Sequence, residues 1–424
     1  MNPSEKIRDN PSRAIALPQA MPVRLSFPLS KATAASAFVT YSKRGPRGEC
    51  PMKFEAPKAV LLEALQMACS AVPNKTTLQV LYNLYFDLKG QELEIRATDL
   101  DMAVVLRLTV EGHQDGALII NARKLLEVVK ELPDMPVILS MEDLVLTIRS
   151  ESGFQGNLTG YDPAEYPALP EVGEASRQNV PLKDLRFLCD KTGFAVSTDF
   201  SRMALTGIYC EFKKDSIEMV ATDGHRLGKA MVTMTGLGAR NGVILPPKAL
   251  QQVLRMSEDP EQVIEVEIGS AHARFATGTI VLYTKLIEGP YPNYENVVPK
   301  QFTKTATVNR EHLASVVKRV STMANAKTRL TVLAFGQGGN LLVSARNQDL
   351  GGDSEEALPL GYEGDDVEVG VNAQYLLEIL RLCPSEEIRL KFNNPLGAIV
   401  IEPVVDEPGY FFIVMPLRIV RDTL

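Results

Sequence analysis

The chain has 424 residues, of which 45% are hydrophobic and 23% are charged, and its formal net charge at pH 7 is −7. This length predicts about two to four domains, and the composition is typical of a globular protein with sizeable cores. No apolar run approaches the roughly 20 residues that a membrane-spanning helix needs, so we expect no membrane association. The negative charge argues against a protein that coats nucleic acid through bulk electrostatics, but it leaves room for a locally basic surface.

Residues 1–51 differ from the rest of the chain. They carry eight basic and three acidic residues and lack sustained apolar periodicity, whereas MKFEAPKAVLLEAL, from Met52, reads like the start of a folded protein. We interpret the segment as a disordered N-terminal extension; a basic arm and a targeting peptide are the alternatives. The five cysteines are scattered without CxxC spacing, which predicts free thiols in a reducing cytoplasm and no metal site.

Three segments repeat one pattern along the chain. They read IRATDLDMAVV, MVATDGHRLGK and VSARNQDLGGD, and their shared alanines, Ala97, Ala221 and Ala345, are 124 residues apart each time. Each segment ends a run of alternating apolar residues, which predicts a β-strand. The predicted strands cover residues 93–98, 217–222 and 341–346. A period of this size indicates a triplicated structural unit.

A helix is predicted on each side of every repeated segment. Leu313, Val316 and Val320 follow helical spacing in NREHLASVVKRV, with Asn309 placed as its N-cap. The six predicted helices cover residues 53–71, 121–132, 181–192, 246–257, 309–320 and 372–383. Short strands with two helices on one face predict an α+β fold of three repeated domains with antiparallel sheets. We place these domains at 52–172, 173–301 and 302–424.

The predicted helices carry a net positive charge, whereas the rest of residues 52–424 is strongly negative. On any single helix the basic residues are explained by helix propensity and a solvated face. If equivalent helices line one common surface, however, that surface is positive and the outside is negative. A concave surface of this kind would contact nucleic acid phosphates without reading their sequence.

Motifs that carry chemistry are missing from the sequence. It contains no P-loop, HExxH or GxSxG motif, and its four histidines lie far apart. Asp99 and Asp101 form a DxD pair that would suit a magnesium ion, but a turn is the better interpretation because the other repeats lack the pair. We therefore predict no catalytic residue, no metal and no cofactor.

Two segments stand out. TDGHRLG, from Thr222 to Gly228, has a GHR core that the other repeats lack, and YFFIVMPLRI at 410–419 is almost wholly apolar. The structural interpretation of the first segment is a strand-ending turn with His225 and Arg226 exposed. The structural interpretation of the second segment is a buried last strand. The functional alternative is that the MPLRI end lines an apolar pocket.

From Met52 to Ile419 the sequence resembles the bacterial DNA polymerase III β subunit family, the β sliding clamps. The resemblance is carried by the initial MKF, ATDLDM, NARKLLE, VATDGHRL, KLIEGPYPNYENVVP and the closing IVMPLRI. It implies a non-catalytic processivity factor, in which two chains form a head-to-tail dimeric ring around duplex DNA. The implied partners are the replicative polymerase, the clamp loader, and repair and translesion proteins that bind through short linear peptides.

The resemblance also implies functional residues. The peptide-binding pocket would consist of Leu205, Thr222, Gly224, His225, Arg226, Leu227, Pro292, Val297, Leu396, Ile413, Val414, Met415, Pro416, Leu417 and Arg418. The DNA-facing residues, taken from the helices and the segments that follow them, would be Lys75, Arg123, Lys124, Lys183, Arg202, Lys248, Arg255, Lys318 and Arg319. Phe154 of one chain would meet Met323 of the other. Val420 to Leu424 extend beyond the usual end of the family, close to this pocket.

Two other functions are compatible with the composition. One is a catalytic polymerase or nuclease subunit that uses Asp99 and Asp101, and the other is a triplicated protein-binding scaffold unrelated to DNA. Nucleotide incorporation by the purified protein would identify the first. A lack of retention on circular DNA would identify the second.

Overall fold

A computed structural model describes residues 52–235, 240–336, 338–347, 351–405 and 409–419. The predicted N-terminal extension, residues 348–350 and residues 420–424 lie outside the described residues. No helix in the described ranges is both long enough and apolar enough to cross a membrane.

Among the described residues the three repeats contain six helices and 26 strands, and the two helices of each repeat flank its repeated segment as expected. Each repeat also begins with a strand that was not predicted, and in the first repeat this strand, Met52–Pro57, replaces the start of the helix predicted at 53–71. In the first repeat the helices are α1 Lys58–Cys69 and α2 Ala122–Glu131. Its strands are β1 Met52–Pro57, β2 Asn83–Lys89, β3 Glu92–Thr98, β4 Met102–Thr109, β5 Glu111–Gln114, β6 Gly116–Asn121, β7 Pro136–Glu142, β8 Val145–Ser150 and β9 Gln155–Thr159.

The second and third repeats follow the same plan. The second has helices α3 Leu182–Thr192 and α4 Pro247–Val253, with strands β10 Ser176–Pro181, β11 Ile208–Phe212, β12 Ser216–Thr222, β13 Arg226–Thr233, β14 Arg240–Leu245, β15 Val263–Ile268, β16 His272–Thr277 and β17 Ile280–Lys285. The third has helices α5 Arg310–Val320 and α6 Ala373–Leu382, with strands β18 Lys304–Asn309, β19 Leu330–Phe335, β20 Asn340–Asn347, β21 Gly352–Pro359, β22 Gly361–Glu363, β23 Val367–Asn372, β24 Glu387–Phe392, β25 Ile399–Pro403 and β26 Tyr410–Val414.

Each helix begins with at most one residue between it and the preceding strand, and three of the six helices have a side-chain N-cap. The side chains of Asn121, Asn309 and Asn372 accept backbone N–H groups at the starts of α2, α5 and α6, as expected for N-caps. The other three helices follow Pro57, Pro181 and Pro246. The predicted cap at Asn309 is confirmed.

Helix α4 is shorter than the predicted range 246–257. It ends at Val253, and the next amides turn more tightly: Arg255 donates to the Gln252 oxygen and Met256 to the Val253 oxygen, both at 3.0 Å. These i to i−3 bonds replace the α-helical pattern, as is common where a helix ends.

Two of the four sheets cross from one repeat into the next. The strand order is β10-β15-β16-β17-β4-β3-β2-β6 in one and β14-β11-β12-β13-β26-β25-β24-β18-β22 in the other. In the first, Thr284 of β17 lies opposite Met102 of β4; in the second, Val414 of β26 lies opposite Arg226 of β13. The remaining sheets, β5-β1-β7-β8-β9 and β21-β20-β19-β23, belong to the first and third repeats alone. Both crossings are antiparallel, so the repeats join through backbone hydrogen bonds.

The core lies between the helices and these sheets. One continuous cluster of buried apolar side chains extends through all three repeats. The buried phenylalanines at its centre are Phe54, Phe86, Phe275, Phe335, Phe392 and Phe412. The helical spacing predicted for α5 is confirmed, since Leu313, Val316 and Val320 are all buried. Removing side chains of this kind costs about 2 to 5 kcal/mol.

The cysteines are free thiols where the structure describes them, as predicted. Burial raises the pKa of the Cys69 thiol to about 11 and that of Cys189 to about 12. Thiols with pKa values this high carry little thiolate at neutral pH, which makes them poor nucleophiles.

Gly228 in β13 provides a first test of this packing. A β-carbon at this position would lie 2.3 Å from the carbonyl oxygen of Lys191 and 2.8 Å from Cε1 of Phe194, where α3 ends against the strand. We expect Gly228→Ala to lower the free energy of unfolding by about 1 to 3 kcal/mol because backbone must move. Gly193→Ala is the matched control, since its added carbon would only touch Ile208 at 3.9 Å. Equal stability of the two variants in chemical denaturation would contradict this account.

Candidate functional site

The GHR segment forms a turn that is stabilised by hydrogen bonds of side chains within the turn. Asp223 Oδ1 accepts the N–H groups of His225 at 2.8 Å and Arg226 at 3.0 Å, while Thr222 Oγ1 donates to the Arg226 oxygen at 2.7 Å. Gly224 adopts φ +92°, a conformation that favours glycine. The turn therefore presents the His225 side chain to solvent.

The first repeat contains the same turn. Asp99 Oδ1 accepts the N–H groups of Asp101 at 3.2 Å and Met102 at 2.8 Å, and Thr98 Oγ1 donates to the Met102 oxygen at 2.9 Å. Asp99 also forms an ion pair with Lys248 across the repeat junction. The turn interpretation of the DxD pair is confirmed.

Arg226 links the second repeat to the third. Its side chain is only 14% exposed, so the interpretation that left it exposed is wrong. The guanidinium donates to Asp223 at 3.1 Å and to Glu378 of α6, and it lies 4.5 Å from the ring centre of Tyr375 and 5.4 Å from that of Phe194. Carboxylates and aromatic faces together satisfy a buried guanidinium.

Tyr375 belongs to this site although the sequence alone did not single it out. Its ring stacks on the His225 ring with centroids 6.4 Å apart and an interplanar angle of 24°. The signal was in the repeats, because Lys124 and Ala249 occupy the matching position in α2 and α4. An aromatic residue on one of three equivalent helices is a departure that points to a local role.

The closing segment packs against the same turn. The Met415 amide donates to the His225 oxygen at 2.8 Å, and the Leu417 amide donates to the Gly370 oxygen at 2.7 Å. Ile413 and Val414 are each only 1% exposed, so the buried-strand interpretation holds for β26. Met415, Pro416 and Leu417 are half-buried and Arg418 is exposed.

For the predicted pocket residues, we call the buried members the floor and the exposed members the rim. The floor consists of buried side chains: Leu205, Leu227, Ile413 and Val414. The rim is exposed and contains His225, Pro292, Val297, Leu396 and Arg418. Clefts of about 420 Å³ and 250 Å³ both lie in the third repeat, and neither is lined by a predicted pocket residue.

A small apolar cluster supports the floor from below. It joins Val220 and Leu227 of the second repeat to Val400 and Ile413 of the third. Tyr291 packs at its edge: the phenol oxygen accepts the Thr222 amide at 3.1 Å, and the ring stacks on Tyr209 with centroids 5.1 Å apart. Burial raises the pKa of Tyr291 above its usual value, so the phenol stays protonated near neutral pH.

Arg202 lies beside the GHR turn. A β-carbon on Gly224 would lie 3.2 Å from its Nη1 atom, and its Nε atom donates to Asp199 at 3.0 Å. The flanking side chains of Phe200 and Met203 are 76% and 51% exposed. This predicted DNA-facing residue therefore adjoins the rim.

All nine predicted DNA-facing residues are exposed. Five of them form ion pairs: Lys124 with Glu127, Lys183 with Glu261, Arg202 with Asp199, Lys248 with Asp99, and Arg319 with Glu356. Lys75, Arg255 and Lys318 form no ion pair with the residues that the structure describes. Exposed pairs are worth about 0 to 1 kcal/mol, so a phosphate can replace the carboxylate at little cost.

Phe154 and Met323, the predicted interface residues, each lie beside an edge strand. Phe154 directly precedes β9 and is 38% exposed. Met323 is 42% exposed, and its sulfur would lie 3.5 Å from a β-carbon on Gly352, the first residue of β21.

Three family models match successive parts of the chain: the N-terminal domain of the DNA polymerase III beta subunit at residues 52–170, its central domain at 179–293 and its C-terminal domain at 295–418. The chain belongs to the DNA polymerase III β-subunit family. The beta sliding clamp of Caulobacter vibrioides is 32% identical over 378 residues, covering 87% of this chain and all of the relative. The beta sliding clamp of Pseudomonas putida is 29% identical with the same coverage of both chains.

Solved structures of the family are also similar to this chain. The DNA polymerase III subunit beta of Pseudomonas aeruginosa has a TM-score of 0.83 at 27% identity, and a griselimycin-bound form has 0.82 at 28%. Both comparisons cover 87% of this chain and 100% of the solved chain. The predictions of three clamp domains and of a non-catalytic sliding clamp are confirmed, and neither a catalytic subunit nor a scaffold unrelated to DNA fits this family.

The Arg226–Glu378 pair gives a second test. We expect Glu378→Gln to lower the free energy of unfolding by about 1 kcal/mol, because Arg226 keeps Asp223 but loses a charged partner. Amide hydrogen exchange at Met415 should become faster, since this amide bonds across the junction to the His225 oxygen. Glu386→Gln, an exposed carboxylate without an ion pair among the described residues, is the control. Unchanged exchange in Glu378→Gln would show that the pair does not stabilise the junction.

Proposed function

We propose that two copies of this chain close head to tail into a ring around duplex DNA and tether the replicative polymerase to it. The observation that carries the proposal is a strand pairing that occurs twice. β4 pairs with β17, the last strand of the second repeat, and β13 pairs with β26, the last strand of the third. Both β4 and β13 follow the repeated ATD turn.

In the third repeat, the strand equivalent to β4 and β13 is β21, and it lies at the edge of its sheet. The last strand of the first repeat, β9, is also an edge strand. Pairing β21 of one copy with β9 of the other would repeat the same junction a third time and satisfy both edges. This heterologous contact closes after two copies, and it brings Phe154 towards Met323.

The contacts of the helices support a ring that is lined by helices. The second helix of a repeat reaches the ATD turn of the repeat before it, through Lys248 to Asp99 in one case and Glu378 to Arg226 in the other. Repeated around the ring, this contact gives an inner surface of helices that bears the exposed cations. Such a surface would hold DNA through its phosphates, without sequence preference.

The junction between the second and third repeats is the proposed partner site. Its buried apolar floor suits hydrophobic anchors of a short linear peptide, while His225 and Arg418 on the rim suit polar groups of the peptide. The proposed partners are the replicative polymerase, the clamp loader, and repair and translesion proteins. We also propose domain limits at 52–172, 173–301 and 302–424, and a cytoplasmic location.

Retention on DNA tests the ring. The wild-type protein should have about twice the chain mass of 46.5 kDa in solution, and after loading it should stay on circular duplex and leave once that DNA is linearised. Phe154→Asp should give monomers that are not retained, because a charge would be buried at the junction. Val263→Asp, at a site 46% exposed in another strand, should leave both properties unchanged. A retained, dimeric Phe154→Asp protein would contradict the proposed interface.

Substitution on the rim tests the pocket. Leu396 is 60% exposed and Val297 is 44% exposed, so Leu396→Asp/Val297→Asp should fold normally and still dimerise. We expect at least about a tenfold loss of affinity for a peptide from the polymerase tail, since two apolar contacts become charged. Isothermal titration calorimetry measures the affinity, with Val263→Asp as the control. Unchanged affinity would remove this surface from the peptide site.

A further inference from the structure

A cleft in the third repeat shares only Glu378 with the site described so far. It has a volume of about 250 Å³ and lies between the end of α5 and the exposed side of α6. Its lining includes Ser321, Arg329, Gln374, Glu378 and Arg381. Two arginines and one carboxylate therefore share this space.

The backbone at Arg329 is held in an uncommon conformation. Its φ is +49°, a region that non-glycine residues seldom adopt. Its amide donates to the Asn325 oxygen at 2.8 Å, and its oxygen accepts the Ala373 amide at 3.0 Å. The loop after α5 is thus fixed to the first turn of α6 at the residue that lines the cleft. Such strained positions are concentrated at functional sites.

The charges in the cleft are unbalanced. Glu378 already accepts hydrogen bonds from Arg226 and, at 3.1 Å, from Gln374 Nε2. The guanidinium groups of Arg329 and Arg381 are exposed and have no hydrogen bond or ion pair with any residue in the described ranges. The cleft consequently offers two unpaired cations beside a carboxylate that is neutralised from its other side.

We propose that this cleft binds one phosphate group of the DNA backbone, held between Arg329 and Arg381. Guanidinium groups bind phosphate oxygens through paired N–H donors, which gives both strength and orientation. The cleft adjoins the end of α5, because Ser321 lines it and directly follows this helix, which carries the predicted DNA-facing residues Lys318 and Arg319. The inference rests on the proposed ring, and it adds two arginines to the DNA-facing residues predicted for the third repeat.

Salt dependence of binding tests the proposal. On B-DNA, the slope of log K against log salt is smaller by about 0.9 for each phosphate that the protein no longer neutralises. We expect Arg329→Gln/Arg381→Gln to lower the slope by about that amount on a short linear duplex, onto whose open ends a ring can thread. Lys53→Gln/Lys214→Gln is the control, because it removes two exposed lysines of other repeats that form no ion pair with the described residues. The control slope should equal that of the wild type.

Three outcomes overturn the inference. An unchanged slope in the arginine variant, with the wild type retained on circular DNA, refutes the cleft and leaves the ring intact. An equal fall in the control would assign the effect to net charge alone. Inorganic phosphate is the probe for a free anion: if it raises the melting temperature of the wild type but not of the arginine variant, while the slopes agree, the cleft binds free phosphate instead of DNA. Failure of the wild type to stay on circular DNA would instead refute the proposed function.

Discussion

Backbone pairing between repeats is the constraint on which the rest of the molecule depends. β4 with β17 and β13 with β26 make two sheets that run through the repeat junctions, so neighbouring repeats cannot rotate without breaking ladder hydrogen bonds. The ATD turns lie at the start of β4 and β13 and are therefore fixed in the same relation to the repeat that follows. The proposed ring closure, helix-lined surface and partner site all depend on this one geometry.

The junction between the second and third repeats combines two tasks. Arg226 ties α6 to the GHR turn, and the Val220, Leu227, Val400 and Ile413 cluster packs beneath it. The same elements form the floor of the proposed peptide site. Since stability and binding share these side chains, substitutions in the floor would disturb both, whereas the rim can be changed with less effect on folding.

Much of this structure followed from the sequence because its signals were local or repeated. The 124-residue spacing, the helical periodicity of α5 and the Asn309 cap all depend on residues close in the chain. The contacts of Arg226 could not be predicted from the sequence. Glu378 lies 152 positions away in the chain, and Phe194 lies in a different turn. The end of α4, where tight turns replaced the helix without a Gly or Pro signal, could not be predicted either. The position of Arg202 beside Gly224 likewise could not be predicted from the sequence and is seen only in the folded chain.

The ion pairs of the predicted DNA-facing residues have a consequence for movement along DNA. A lysine or arginine that leaves one phosphate can return to its own carboxylate, as Arg319 can to Glu356, instead of to bulk water alone. Each exposed ion pair contributes about 0 to 1 kcal/mol, so exchanging a phosphate for a carboxylate changes the interaction energy little. The interaction energy between protein and DNA therefore stays nearly constant from one base-pair step to the next. In the proposed ring, such a surface would let the duplex translate with little resistance while ring closure prevents its escape.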